Sequence, residues 1–93
     1  MNKPSKGLTT EVEVANELGM HARAAARVAE IASKAENTVW IISGDTQVDA
    51  TSVIDILSLA CVKGTKIIFA AENQADKFIL EELKQLVETE FGE

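Results

Sequence analysis

The chain has very little histidine and cysteine, the residues whose nitrogen and sulfur atoms bind zinc or form disulfides. It contains one cysteine and one histidine among 93 residues. The lone cysteine, Cys61, excludes a disulfide within the chain and a site with several thiolate ligands. Because Cys61 lies in the apolar run IDILSLACV, we interpret it as a small buried residue and not as a reactive thiol. The lone histidine, His21, gives little support to a zinc site or a hydrolytic triad.

Long apolar runs are also missing from the sequence. No stretch approaches the roughly 20 apolar residues that span a bilayer, and the first residues lack the apolar core of a secretion signal. We therefore expect a cytoplasmic protein without direct membrane insertion. The formal net charge of -6 argues against a nucleic-acid partner. With 46% hydrophobic and 26% charged residues, the composition predicts one folded domain over residues 1–93, with residues 1–6 as a flexible tail.

The hydrophobic periodicity predicts the element order β-α-β-β-α-β-α. TTEVEVA alternates valine with polar residues, as in a half-buried strand, whereas the residues from His21 to about Ala35 favour a helix. TVWIIS and TQVDA, joined by GD, predict a hairpin. A short helix from Ser52, the strand TKIIFAA and a helix from about Ala75 to Phe91 follow. This order predicts an α+β open-faced β-sandwich, a four-stranded antiparallel sheet with three helices on one face.

Charge is distributed unevenly along this acidic chain. Residues 72–93 carry seven acidic residues and two lysines, and we interpret the acids of the last helix as a solvated face. The segment from His21 to Ala35 instead carries Arg23, Arg27 and Lys34 against a single glutamate. The histidine therefore lies in the basic part of the chain.

His21 stands where several features favourable to phosphate chemistry converge. Gly19 permits a tight turn or a close backbone approach, and the helical pattern begins at His21. The first N–H groups of a helix lack intrahelical partners and, with the helix dipole, attract anions such as phosphate. Neutral imidazole is a good nucleophile, and Arg23 can reach the same helix terminus. The pattern indicates a residue that accepts a phosphoryl group, the alternative being a solvated or structurally hydrogen-bonded histidine.

The stretch NELGMHARAA resembles the active-site pattern Asn-x-x-Gly-Leu-His-x-Arg-Pro-Ala of HPr, the histidine phosphocarrier family of the bacterial phosphoenolpyruvate-dependent phosphotransferase system. VDATSVIDILSLA resembles the family block VNAKSIMGVMSLG, and CVKGTKIIFAAE and LEELKQLVETEFGE match its last strand and helix. The resemblance implies a stoichiometric carrier, not an enzyme, without metal or other cofactor. It would take phosphate from enzyme I and pass it to the IIA domains of sugar permeases.

The resemblance also assigns roles to individual residues. It implies that His21 is phosphorylated on Nδ1, that Arg23 is the active-site arginine, and that Asn16 and Gly19 shape the turn before the histidine. Ala24 stands where the family usually has proline. Alanine favours helix, so we expect the helix to survive, with an extra N–H near the phosphoryl site and altered transfer rates.

Ser52 aligns with the serine that HPr kinase/phosphorylase phosphorylates in many members, which implies a regulatory site. A structural interpretation stands beside it, because Ser52 followed by Asp55 is typical of a helix N-cap.

The helix that begins after Ser52 is apolar nearly all round, so some of Val53, Ile54 and Leu57 should face solvent. The resemblance implies that these positions, with basic residues such as Arg27, dock weakly and rapidly onto enzyme I and IIA. The alternative is a fully buried helix.

Two other functions remain open at this stage. One is a regulatory phosphocarrier of the nitrogen-related branch, which shares the histidine chemistry without sugar uptake. The other is a small non-catalytic ligand-binding α+β domain in which His21 is incidental. In each case we expect a monomer.

Overall fold

The computed structural model describes residues 8–92, so the predicted tail at residues 1–6 lies outside the described residues. Its elements follow the predicted order. They are β1 (Thr9–Glu13), α1 (Ala22–Ala32), β2 (Val39–Ser43), β3 (Thr46–Asp49), α2 (Val53–Ser58), β4 (Lys66–Ala71) and α3 (Lys77–Glu88).

The four strands form one antiparallel sheet in the order β1-β4-β2-β3. In the register, Val12 of β1 lies opposite Ile67 of β4, and Ile41 of β2 lies opposite Phe69. These residues are buried, since alternation along each strand directs them to the covered face of the sheet. The α+β open-faced sandwich predicted from the sequence is confirmed.

The helices cover one face of the sheet and complete the core. The alanine-rich face of α1 buries Ala24, Ala25 and Val28, while α3 buries Ile79 and Leu83 against β1 and β4. Full burial of one large apolar side chain contributes about 1.5–3 kcal/mol to stability. The buried faces of α1 and α3 therefore hold both helices against the rest of the core. The N-terminus of α1 is thereby fixed relative to the sheet.

The loop after α1 is held by a buried carboxylate that the sequence did not reveal. Asp76 has no exposed surface, and its two oxygens accept hydrogen bonds from the backbone N–H groups of Glu36 at 2.8 Å and Asn37 at 2.9 Å. The interpretation of the acids near α3 as a solvated face is therefore wrong for Asp76. Helix α1 ends at Ala32, three residues before the predicted Ala35, and these contacts hold the loop that follows it.

The start of the last helix also differs from the sequence prediction. A 3-10 turn occupies Gln74–Asp76, and α3 begins only at Lys77 instead of about Ala75. Asn73 caps this turn, since its side chain accepts a hydrogen bond from the Ala75 N–H at 2.8 Å. A capped turn thus takes the place of the first helical turn and delivers Asp76 to the loop after α1.

Candidate functional site

The turn that precedes His21 is built around Gly19 and a buried asparagine. Gly19 has φ +64°, a left-handed conformation that glycine adopts without strain. Its N–H donates to the carbonyl oxygen of Asn16 at 3.1 Å, and the Asn16 side-chain amide donates back to the Gly19 carbonyl at 2.9 Å. Asn16 is 2% exposed, so these two bonds close the turn from the interior. The sequence-predicted roles of both residues in shaping the turn agree with this geometry.

Gly19 also lies directly against the loop that follows α2. A Cβ atom at this position would lie 2.5 Å from the Cys61 carbonyl oxygen and 3.0 Å from the Cα of Val62. The neighbouring Met20 N–H donates to the same Cys61 carbonyl at 2.8 Å. The close backbone approach predicted for Gly19 is therefore confirmed, and no residue with a side chain fits here without displacing a loop.

An exposed ion pair joins the turn before His21 to the loop that follows α2. Lys63 Nζ lies 2.6 Å from Glu17 Oε1. The hydrogen bond and charge of Lys63 hold the pKa of Glu17 below its ordinary value, and Glu17 in turn raises the pKa of Lys63. Both groups are exposed, so the pair contributes little to stability, but it marks where the two loops meet.

Cys61 lies behind this junction with 4% of its surface exposed. Burial raises the pKa of its thiol, which keeps the sulfur protonated and poorly nucleophilic at neutral pH. The interpretation of Cys61 as a buried structural residue agrees with this environment.

His21 is the N-cap residue of α1. Its backbone is extended, with φ -85° and ψ 178°, and its carbonyl accepts the first helical hydrogen bond, from the Ala25 N–H at 2.8 Å. The His21 N–H donates to the Gly19 carbonyl at 3.0 Å, which ties the histidine to the turn. Its side chain reaches over the first turn, and Nδ1 accepts a hydrogen bond from the Ala24 N–H at 3.4 Å. The imidazole thus presents Nδ1, and not Nε2, to the first amides of the helix.

The predicted basic residues lie on the exposed side of α1. Arg23 is the second residue of the helix, and Arg27 follows one turn later on the same face. Together with Ala26 and Glu30 they line a shallow surface depression. The guanidinium of Arg27 also lies beside Gly92, close enough that a Cβ there would be 3.4 Å from its Nη1. A cationic strip therefore extends from the histidine along α1.

The short helix α2 begins at Ser52 and is only partly buried. Ser52 is half-buried, and its Oγ accepts a hydrogen bond from the Asp55 N–H at 3.3 Å, as the N-cap interpretation predicts. Ile54 is 79% exposed and Leu57 is 37% exposed, so the prediction of solvent-facing apolar residues is confirmed for these two. Val53 is half-buried and packs against the core. The alternative of a fully buried helix is wrong.

Two further exposed apolar residues border the histidine turn, and the sequence analysis missed both. Leu18 is 70% exposed and Val62 is 68% exposed. Leu18 directly precedes Gly19, and Val62 lies between Cys61 and Lys63 in the opposing loop. The available signal was an apolar residue inside each of the turn segments NELG and VKGT, where polar residues are usual.

Within residues 8–92 no group of three or more histidine, cysteine or carboxylate side chains is placed to hold a metal ion. Over the same residues, no helix combines the length and the apolar character that crossing a membrane requires.

Comparison with known proteins agrees with this geometry. The family model described as "PTS HPr component phosphorylation site" matches residues 8–89. The chain belongs to the HPr phosphocarrier family. It is 31% identical over 86 residues to the phosphocarrier protein HPr of Neisseria meningitidis, covering 92% of this chain and 97% of that protein.

Other members of the family are similar to the chain in sequence and in fold. The phosphocarrier protein NPr of Shewanella violacea is 33% identical over 92% of this chain and 94% of that protein. The crystal structure of HPr-C-His from Thermoanaerobacter tengcongensis superimposes with a TM-score of 0.85 and 32% identity, covering 91% of this chain and 96% of that one. Members named HPr and NPr both resemble the chain, so family membership alone does not choose between the two branches.

Proposed function

We propose that this HPr-family chain is a cytoplasmic phosphocarrier whose His21 accepts a phosphoryl group on Nδ1 from phosphorylated enzyme I and passes it to a IIA protein. The observation that carries this proposal is the position of the imidazole, which caps α1 through Nδ1. A phosphoryl group on this nitrogen would lie against the first helical N–H groups, where the helix dipole stabilises an anion. The carrier is itself changed in each half-reaction and is therefore a substrate of its partners.

The proposed transfer takes place between His21 and a phosphohistidine of the donor protein, with Arg23 and the helix N–H groups as supporting groups. The lone pair of Nδ1 in neutral His21 forms a P–N bond with a phosphohistidine of the donor protein. The P–N bond of the donor breaks as the new bond forms, its electron pair stays on the donor nitrogen, and each ring keeps its own N–H. Arg23, at the second position of α1, supplies a charge-assisted hydrogen bond to the phosphoryl oxygens. Catalysis in such a step consists of positioning and charge stabilisation.

The partners would meet a surface that we call the docking face, formed by Leu18, Ile54, Leu57 and Val62. Arg23 and Arg27 lie on the exposed side of α1, which packs against α2, so the fitting partner has an apolar patch with acidic groups beside it. A monomeric carrier must leave each partner quickly, and a small interface of this kind gives the weak, fast association required.

Phosphorylation by enzyme I tests the proposal directly. The chain is incubated with enzyme I and phosphoenolpyruvate, and intact-mass spectrometry should show the addition of one phosphate. His21→Ala should remain unmodified, whereas Arg23→Ala should be phosphorylated about 10-fold more slowly, because one charge-assisted hydrogen bond is lost at an exposed site. A wild-type chain that gains no phosphate, or a His21→Ala variant that gains as much, would leave only the non-catalytic ligand-binding alternative.

The docking face has a matched control within the chain. Ile54→Glu should raise the KM of enzyme I for the carrier about 10-fold or more, because it buries a charge at the interface. Phe78→Glu, which alters a residue 51% exposed at the start of α3, should leave this KM unchanged. Phe78 lies two residues after Asp76, which contacts the loop after the C-terminus of α1. That end of α1 is about 16 Å along the helix from His21. Equal effects of the two variants would refute this docking face.

The nitrogen-related branch is the second candidate, because the similar Shewanella violacea protein is an NPr. Sugar uptake is the function we favour from the resemblance of the active-site stretch. The phosphorylated carrier should transfer to a IIA domain of a sugar permease faster than to a nitrogen-related IIA protein at equal concentrations. The reverse preference would assign the chain to the regulatory branch.

Ser52 is proposed as a regulatory phosphorylation site for HPr kinase/phosphorylase. Ser52 is the N-cap of α2 and lies two residues from Ile54 in the docking face, so a phosphate there would add a charge of about -2 beside that face. With this kinase and ATP, acid-stable phosphate should appear in the wild type and disappear in Ser52→Ala. A label that persists in Ser52→Ala, or a wild type that gains none, would restrict Ser52 to its capping role.

A further inference from the structure

The Ala24 amide is placed to act on the same atom that the proposed chemistry uses. Its N–H donates to Nδ1 of His21 at 3.4 Å, and a neutral imidazole nitrogen accepts such a bond through the lone pair that would attack phosphorus. The Ala24 side chain has no exposed surface, so packing in the core fixes the direction of this N–H. Ala24 also precedes Ala25, which donates the first backbone hydrogen bond of the helix. The Ala24 N–H has therefore no intrahelical carbonyl to bond and is available to the imidazole.

The lone pair of Nδ1 cannot bind the Ala24 N–H and phosphorus at once. A phosphorus atom bonded to Nδ1 would occupy the line that now joins Nδ1 to the Ala24 nitrogen, so the ring must turn for the bond to form. Once it has turned, a phosphoryl oxygen becomes the nearest acceptor for the Ala24 N–H. Hydrogen bonds to a charged oxygen are about twice as strong as those to a neutral acceptor, and the bond to Nδ1 is already long.

We propose that the Ala24 N–H is a positioning group for phosphoryl transfer, which holds Nδ1 of His21 in the resting carrier and passes to a phosphoryl oxygen in the phosphorylated one. This inference rests on the proposed function of His21. Because the N–H binds the product more strongly than the resting state, the carrier holds its phosphoryl group more tightly than the same chain without that N–H. Proline is the substitution that removes an N–H from the backbone.

An exchange equilibrium measures this difference. Wild type and Ala24→Pro are mixed in equal amounts with catalytic enzyme I and less phosphoenolpyruvate than total carrier, so that phosphate redistributes between them. Because the chains differ in mass, intact-mass spectrometry reads the phosphorylated fraction of each. The wild type should hold about 5-fold more phosphate, given the difference between a charged and a neutral hydrogen bond. Ala24→Gly, which keeps the N–H, should share phosphate equally with the wild type.

Equal partition in the Ala24→Pro mixture, or enrichment of phosphate on Ala24→Pro, would overturn the inference. Depletion of phosphate from Ala24→Gly as strong as that from Ala24→Pro would do the same. NMR of the wild type keeps the test independent of how the proline variant folds. On phosphorylation the Ala24 amide proton should move downfield as its acceptor becomes charged, and an unchanged or upfield signal would contradict the transfer of this bond.

The resting contact is tested without any phosphoryl donor. In unphosphorylated protein, the Ala24 amide should exchange with solvent faster in His21→Ala than in the wild type, while His21→Asn, which restores a side-chain acceptor, should slow it again. Unchanged exchange in His21→Ala would overturn the resting half of the inference. If enzyme I phosphorylates none of these chains, the proposed function of His21 fails. If the chains are phosphorylated but the partition or exchange results are not as expected, only the inference about the Ala24 N–H fails.

Discussion

Replacement of Gly19 by alanine tests how the turn before His21 is held. The new residue would have to adopt φ +64°, which costs a residue with a Cβ about 1–2 kcal/mol. Its Cβ would also lie 2.5 Å from the Cys61 carbonyl oxygen, so the two loops must separate. Separation breaks the hydrogen bond from the Met20 N–H to that carbonyl, a further loss of about 0.5–1.5 kcal/mol. We expect a total destabilisation of about 2–4 kcal/mol.

Gly44 provides the matched control for this substitution. It has nearly the same backbone conformation, with φ +59°, but nothing lies within 4 Å of a Cβ built there. Gly44→Ala should therefore cost only the conformational term of about 1–2 kcal/mol and leave phosphorylation of His21 unchanged. Urea denaturation of both variants isolates the close approach as the difference between them.

The thermal and functional readouts should agree with the urea measurement. A loss of about 2–4 kcal/mol corresponds to a fall in Tm of roughly 10–25 °C for a domain of this size. Gly19→Ala should also slow phosphorylation by enzyme I, because the His21 N–H donates to the Gly19 carbonyl and moves with the turn. Equal destabilisation by Gly19→Ala and Gly44→Ala would refute the reasoning, since it would show that the contact with the Cys61 carbonyl has no energetic weight.

Three further predictions concern stability and ionisation. Asp76→Asn should lower the free energy of unfolding, measured by urea denaturation, by about 2–4 kcal/mol. The reason is that the backbone N–H of Glu36 or of Asn37 would then face the side-chain NH2 group, which is a donor. Asn in place of the exposed Asp45 should change this free energy little. Ala60→Gly should raise Tm by about 4–8 °C, because it relieves φ +53° at an exposed alanine, and an unchanged Tm would contradict this. The carboxylate of Glu17 should titrate by NMR below the ordinary glutamate pKa and return to it in Lys63→Met. Any stability from this pair is present above the ordinary pKa and lost as pH falls through the lowered one.

The parts of the site that sequence predicted follow from local rules. Gly19 and His21 stand two residues apart at the start of an alanine-rich helix, and a glycine, an N-terminus and an imidazole have chemical consequences that do not depend on distant residues. The element order likewise follows from alternating and helical periods within single segments. Helix α1 and the turn before it could therefore be predicted without knowledge of what packs against them.

The remaining features depend on contacts between distant segments. In the sequence, Asp76 resembles any other acid at the start of an amphipathic helix. Its role depends on the loop after α1, about 40 residues earlier in the chain, whose N–H groups donate hydrogen bonds to it. The sequence of α2 is apolar on every side, so it predicts exposed residues but does not choose among them. The choice depends on the sheet and α1, which cover Ile56, partly cover Val53 and leave Ile54 in solvent.

The choice of cap for α1 links stability to function. Ser52 begins α2 and Asn73 caps the turn before α3, both of them residue types that cap helices well. Helix α1 begins instead with His21, whose Nδ1 accepts a hydrogen bond from the Ala24 N–H at 3.4 Å. A short, strong bond to Nδ1 would stabilise the helix but withhold the lone pair from a phosphoryl donor. Because a neutral hydrogen bond contributes about 0.5–1.5 kcal/mol, the contact with the Ala24 N–H should lower the availability of the lone pair by no more than about 10-fold. The Ala24 N–H at this position therefore orients the imidazole and can be released when a phosphoryl donor binds.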